Sequence, residues 1–248
     1  MSGVGAGVRR SSVPYITVRE GEEPVREEML GVRVDRRGRA AGLCYRMEVS
    51  GDRDDRGALW GRVSQSLSPV DRRPVGRPLW ACVHPARQRA TMSELRCQKC
   101  CGPASRNELG YLFLEKAAGD RPVEGMLTAQ PPVCLADAAE GIDRCRHLGD
   151  HGYVLVRSRV PRLYGVIGRR YRMGAQGLEP MAPLLGPDGD DIPVRYTDRK
   201  VLGWLLASQL VRQLTTVTVV DIDRELAEAG LPARLAGEQR RPATAVER

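Results

Sequence analysis

Cys97-Gln-Lys-Cys100, followed 33 residues later by Cys134-Leu-Ala-Asp137 and then by Cys145-Arg-His147, is the stretch on which the reading of this chain turns. A two-residue gap between cysteines folds into a tight knuckle, in which both thiolates face one ion about 2.3 Å away. A second pair at i and i+3, in the first turn of a helix, lies on one face and completes a tetrahedron. Knuckle, hairpin, then helix N-terminus is the order of a treble-clef zinc module. The expected ligands of one Zn2+ are therefore Cys97, Cys100, Cys134 and Asp137. An Asp oxygen ligates zinc at about 2.0–2.2 Å, although structural sites use it less often than Cys or His.

Cys145 or His147 is the alternative fourth ligand. One unbroken helix over 134–145 would hold its ends about 16 Å apart, too far to share an ion. A break at Gly141 would bring them back together. Cys101 reads as a neighbour that does not ligate, because adjacent residues point apart. Cys44 and Cys82 read as core thiols, a common fate of free cysteine.

Working outward, Gly110 to Glu115 reads as a strand, with Gly125 to Ala129 as its hairpin partner. Pro85 opens a short helix over 84–96, and Leu135 to Ile142 is helix-prone. Val13 to Arg19 alternates as an edge strand does. Gly31 to Met47 holds two short strands around the turn Arg37-Gly38-Arg39. Pro69 to Pro78 has the composition of a linker. Downstream, Tyr153 to Val160 and Leu163 to Arg172 read as two strands joined by Pro161.

Asp198 is a good N-cap for a helix running through Leu214, with Leu202, Leu206, Leu210 and Leu214 stacked at four-residue spacing. Thr215 to Ile222, β-branched at nearly every position, predicts a strand. Asp223 then caps a last helix that stops at Gly230, with Pro232 beyond. The expected class is α+β, divided into a disordered start (1–12), a small β-rich module (13–80), a zinc module (81–150), an α+β C-terminal part (151–235) ending helix–strand–helix, and a flexible tail (236–248).

Composition narrows the functions. The 248 residues carry 39 basic and 31 acidic side chains, a formal charge of +8, with 42% hydrophobic content. That is enough apolar material for a core and excludes a wholly disordered chain. The longest apolar stretch, Val201 to Val211, is about half of the roughly 20 residues a membrane span needs. Arg9-Arg10 is followed by Ser-Ser-Val-Pro-Tyr rather than an apolar run, so no export signal is expected. Seven cysteines, an odd number with four of them crowded into Cys97-x-x-Cys100-Cys101 and Cys134, fit metal ligation in a reducing cytoplasm better than disulfides.

The run His84-Pro-Ala-Arg-Gln-Arg89, then Leu95-Arg-Cys-Gln-Lys-Cys100, Gly102-Pro-Ala104 and Thr128-Ala-Gln-Pro-Pro-Val-Cys134, resembles a set of uncharacterised actinobacterial proteins. Cys145-Arg-His147, Ala207-Ser-Gln-Leu-Val-Arg212 and Val219-Val-Asp221 continue the likeness over about residues 80 to 224. Where such proteins often carry a second Cys-x2-Cys, this chain has Cys134-x2-Asp137. The resemblance implies a zinc module. The family has no known function, so the resemblance implies no reaction.

Arg157, Arg159, Arg162, Arg169, Arg170 and Arg172 fall in sixteen residues without a carboxylate, interleaved with Tyr164 and Tyr171. Strand alternation would put Arg157 and Arg159 on one face. Guanidinium forks suit phosphate oxygens, and tyrosines can stack on unpaired bases. With Arg87 and Arg89 upstream, these residues form a candidate nucleic-acid contact. The bland alternative is a solvated strand face in an arginine-rich proteome.

The expected function is a zinc-stabilised, non-catalytic nucleic-acid-binding protein with a regulatory or mobile-element-associated role. The second expectation is a protein–protein adaptor in which zinc replaces a missing core. The third is a metal-dependent nuclease using Asp221, Asp223 and His84, although Asp221 and Asp223 also read as a strand end and a helix cap. Asp188, Asp190 and Asp191 read as a solvent turn. No phosphate loop, nucleophile elbow or dinucleotide fingerprint is present.

Overall fold

A computed structural model describes residues 12–117, 119, 122–187 and 189–234. The expected disordered start, apart from Ser12, lies outside the described residues, as do the tail 236–248 and Asp188. In chain order the first elements are β1 (Thr17–Arg19), β2 (Leu30–Val34), β3 (Ala40–Tyr45), β4 (Leu59–Trp60) and β5 (Pro78–Val83). Next come α1 (Pro85–Glu94), β6 (Arg106–Asn107), β7 (Gly110–Lys116), β8 (Leu127–Thr128), α2 (Leu135–Arg144) and α3 (Arg146–His151). The last third holds β9 (Tyr153–Gly174), β10 (Gly177–Pro180), β11 (Val194–Arg195), α4 (Arg199–Leu202), β12 (Leu205–Val219) and α5 (Ile222–Glu228). Helices and strands are both present, as an α+β chain requires, and the end of the chain runs helix–strand–helix.

The main sheet has the order β4-β12-β9-β7-β6, with β10 and β11 paired to β9 and β8 paired to β12. Its spine is the long antiparallel pair β9 and β12, in register from Leu205 opposite Arg170 to Val219 opposite Val156. β9 is one 22-residue strand, where the sequence predicted two joined at Pro161. The proline is tolerated because of its position. Its partner Leu214 turns both backbone groups toward the β8 side, donating to Met126 O and accepting from Gly125 N. On the other edge of β9, pairing with β7 ends at Ser158 and pairing with β11 begins at Gly165. No ladder bond is due from residue 161, so none is lost.

The helix predicted from Asp198 through Leu214 is instead α4, four residues long, followed by β12. Asp198 does cap α4, accepting from Val201 N. A spacing of four serves both a helix and a strand, being close to one helical turn and also two strand periods. In β12 a bulge at Ser208 shifts the phase, so Leu206 packs beside Leu59 and Tyr171 while Leu210 packs with Trp60, Met92 and Tyr196. The last helix, α5, is capped by Asp221, whose carboxylate accepts from Asp223 N and Arg224 N; the expected cap, Asp223, lies inside it. β8 was expected against β7. It pairs with β12, and the hairpin partner of β7 is β6.

Both faces of the β7–β9 region are buried. Leu112, Leu114, Tyr153 and Leu155 face α2 and α5, packing on Ala138, Ile142, Ile222 and Leu226. Phe113, Val154 and Val156 face the other way, onto Leu214. The three expected segments interlock: β4 runs parallel to β12 with Leu59 opposite Leu206, and β1 pairs with β5 across the 80/81 boundary. β2 and β3 form a separate hairpin. Among the described residues, no helix is long and apolar enough to cross a membrane.

Candidate metal centre

The knuckle begins where α1 ends. Leu95 takes a left-handed conformation (φ +53°) that turns the chain off the helix, and Arg96 bridges to Pro103. Cys97 N donates to Gly102 O and Cys101 N donates to Cys97 O, closing a tight loop around Cys97–Gly102. Cys101 itself sits at φ +59°, which directs it away from the pair that it adjoins.

Two neighbours hold this loop from either side. Gln98 N donates to Pro132 O, tying the knuckle to the segment that leads into α2. Tyr15 N and Ile16 N donate to the carbonyls of Lys99 and Gln98, at 3.0 and 3.3 Å. Cys134 is the N-cap of α2, and Asp137 lies in its first turn.

The four expected ligands meet. One ligand atom from each of Cys97, Cys100, Cys134 and Asp137 lies within 4.8 Å of the others. Asp137 Oδ2 is 3.2 Å from Cys97 Sγ and 3.1 Å from Cys134 Sγ, and Cys100 Sγ is 4.0 Å from Cys134 Sγ. Thiolates at about 2.3 Å from a tetrahedral ion are roughly 3.8 Å apart, so the cluster has the dimensions of a closed four-ligand site. Cys97 and Asp137 are buried, Cys100 and Cys134 half-buried. None of the seven cysteines is in a disulfide.

The electrostatics are those of acids crowded together. Contacts from Cys134 and Cys97 hold Cys100 well below the usual thiol value. The contact with Cys100 pushes Cys97 up, and pushes Cys134 up to about 12. Burial is the main cause that raises the Asp137 carboxyl, with Cys100 adding to it. Such a group could take a divalent cation by surrendering protons to solvent.

The alternative ligands fall elsewhere. α2 is continuous through Gly141, so Cys145 lies at its far end as the C-cap. His147 is on the exposed α3, with its ring 4.7 Å from that of His151. Cys44 is half-buried, and Cys82, expected in the core, is exposed on β5.

The arginines divide in a way the sequence did not foresee. Arg157 is buried beneath α5, where Nε and Nη2 bond both oxygens of Glu225 at 2.8 and 2.5 Å, and Nη1 bonds Gly110 O. Arg87 is buried against Glu22, at 2.6 and 2.7 Å, and also donates to Thr17 O. Neither can reach a phosphate, which corrects their place in the predicted contact. Glu22 also accepts from Arg19 N and Ser66 N; burial pushes its carboxyl up, and the Arg87 guanidinium together with these two backbone donors outweighs that and holds it low.

Arg89 stacks over Trp60 and donates to Gly51 O. Arg159, Arg162, Arg169 and Arg172 are exposed and Arg170 is half-buried. Of these, Arg169 pairs with Glu27 and Arg172 with Glu179. The tyrosines are also occupied: Tyr171 is buried, and Tyr164 accepts a hydrogen bond from Arg195, whose guanidinium stacks over its ring.

The nuclease constellation does not assemble. Asp221 is a helix cap, Asp223 is held by Arg234, and His84 is buried with Nε2 bonded to Ser64 O. Burial lowers the His84 pKa, keeping the ring neutral. Sequence reasoning missed Lys99, whose Nζ lies 3.6 Å from Asp137 Oδ1 and 2.5 Å from Glu140 Oε2. Its place inside the Cys-x2-Cys gap was the available signal.

No protein-family model matches the chain, and comparison with curated proteins and with solved structures returns no match.

Proposed function

We propose that the chain is a zinc-stabilised, non-catalytic binding protein, with one Zn2+ held by Cys97, Cys100, Cys134 and Asp137 in a treble-clef-like module. The carrying observation is the cluster itself. Four protein ligands from a knuckle and a helix start fill every tetrahedral position, and a catalytic zinc would need one position open for water or substrate. Knuckle, the β6–β7 hairpin and α2 follow one another in the order such a module has. Free thiols of this kind stay reduced in a cytoplasm.

Elemental analysis of wild type, Cys97→Ser and Asp137→Ala tests this. One zinc per chain in wild type, lost in both variants, is the expected result. No zinc in wild type would overturn the reading, and zinc kept by Asp137→Ala would remove Asp137 from the ligand set.

The partner in this reading is nucleic acid, met by the arginines that remain outside: Arg159, Arg162 and Arg170, with Arg169 and Arg172 freed from surface carboxylates that contribute little. The formal charge of +8 supports it. Affinity for mixed-sequence duplex and single strands should fall steeply with salt as counterions are released. Absent or salt-insensitive binding would reject it. A second reading, a protein adaptor, is favoured by one observation. The ladder pairs Thr17 with Val83 and Arg19 with Pro78, so Leu79 to Cys82 bulge outward with Trp80 66% exposed. A stable co-purifying protein, with no nucleic acid bound at low salt, would select that reading.

A further inference from the structure

We propose that Lys99 is a positioning residue for the metal, holding Asp137 as a one-oxygen ligand and offsetting the excess negative charge of a three-thiolate, one-carboxylate site. This rests on the reading of the cluster as a metal centre.

The geometry carries it. Asp137 presents Oδ2 to Cys97 and Cys134, so Oδ2 is the ligand atom. The other oxygen, Oδ1, is buried and accepts no hydrogen bond; it is met by the Lys99 ammonium at 3.6 Å. A carboxylate beside a divalent ion can swing to bind through both oxygens, which would crowd a tetrahedral site into five-coordination. A cation on the outer oxygen opposes that swing.

Lys99 is itself fixed at both ends. Its carbonyl accepts from Tyr15 N, and its Nζ contacts Glu140 at 2.5 Å, one turn beyond Asp137 on α2. The side chain is 10% exposed, and lysine is seldom buried unless paired. The charges agree with the geometry. Three thiolates and a carboxylate around Zn2+ leave two excess negative charges, and Lys99 removes one of them within the protein. Outer groups of this kind typically change metal affinity by roughly 10- to 100-fold when removed.

The test is zinc release from the full-length, zinc-loaded protein into excess chromogenic chelator. It compares wild type, Lys99→Met, Lys99→Arg and Glu140→Gln, each also in an Asp137→Cys background. Lys99→Met should release zinc roughly 10- to 100-fold faster. Lys99→Arg should restore slow release. In the Asp137→Cys background, where the charge excess is unchanged but there is no carboxylate to orient, Lys99→Met should accelerate release clearly less. With Co2+ in place of zinc, Lys99→Met should weaken the visible ligand-field bands, as five-coordination does; a role in packing alone would not move them. Lys99→Gln takes the place of Lys99→Met should the latter not fold.

Wild-type release from Lys99→Met would overturn the proposal. So would equal acceleration in the Asp137→Cys background. Glu140→Gln matching Lys99→Met in both backgrounds would also overturn it, because Lys99 would then only tether α2. Wild type that takes up no zinc would instead defeat the metal-centre reading, which keeps the two failures distinct.

Discussion

Arg157 and Glu225, 68 residues apart in sequence, form a two-pronged ion pair between the first part of β9 and the inner face of α5, with both side chains buried. Removing one partner of such a pair strands a charge and costs about 3–5 kcal/mol, whereas replacing both with apolar groups is often close to neutral. Arg157→Met and Glu225→Gln should each lower the midpoint of chemical denaturation sharply, and Arg157→Met with Glu225→Leu should recover much of the loss. Two single variants as stable as wild type would contradict this role.

Zinc uptake should acidify the solution. Cys97 and Cys134 are the thiols pushed up, while Cys100 is already held low. Loading the apo-protein near neutral pH should therefore release roughly two protons per zinc, read by titration in weak buffer. The uptake should weaken as the pH falls, because protons compete for the same sulfurs. Release of no protons would mean that the thiols do not ligate.

Glu115 gives the fold a pH dependence of its own. It lies on the face of β7 shared with Phe113 and accepts from Thr128 Oγ1 at 2.6 Å; burial pushes its carboxyl up to about 8. With a folded value above the unfolded one, its contribution to stability is present in full below about 4.5 and is lost as the pH rises through about 8. Between pH 6 and 9 wild type should lose stability, by up to a few kcal/mol, and Glu115→Gln should be flatter over that window. Parallel curves for the two proteins would refute it.

Arg212 closes the end of α1. Its guanidinium donates to Met92 O, Ser93 O and Pro161 O, with no carboxylate partner among the described residues; burial lowers its pKa to about 10, which still leaves it charged at neutral pH. A cation at a helix C-terminus is favourable, and three carbonyls would lose their donor together. Arg212→Met should cost about 2–4 kcal/mol by thermal denaturation. Arg212→Lys should not rescue it, because one ammonium cannot span the three oxygens as a planar fork does.

Should nucleic acid bind, Arg157→Met in folded protein should leave the salt slope unchanged. Arg162→Ala, on the exposed part of β9, should lower the slope by about one. The reverse result would put the contact on the other side of the sheet.

These outcomes also mark what was legible beforehand. The cluster of Cys97, Cys100, Cys134 and Asp137 could be read because its spacing is local: a two-residue gap and a helix start each fix their geometry within a turn. α1, α2 and the Asp198 cap were readable for the same reason. The arginine stretch misled because the carboxylates that consume Arg157 and Arg87, Glu225 and Glu22, lie 68 and 65 residues away. The four leucines from Leu202 to Leu214 fit two periods, and the choice between them was made by β9, which offers thirteen paired positions to β12. Pro161 looked like a break because its harmless position depends on where β7 stops and β11 starts.

The placement of β1 and β4 has a consequence for synthesis on the ribosome. Tyr15 and Ile16 bond the carbonyls of Lys99 and Gln98, and Leu59 finds its ladder partner at Leu206. The segment leading into β1 thus waits for residues 98 and 99, and β4 waits for β12, with open edges until those are translated. Contacts of such long sequence separation slow folding and leave the nascent chain exposed to wrong pairings. Until β12 has cleared the exit tunnel the main sheet lacks half of its spine, and the strands already made depend on whatever shields their edges in the cell.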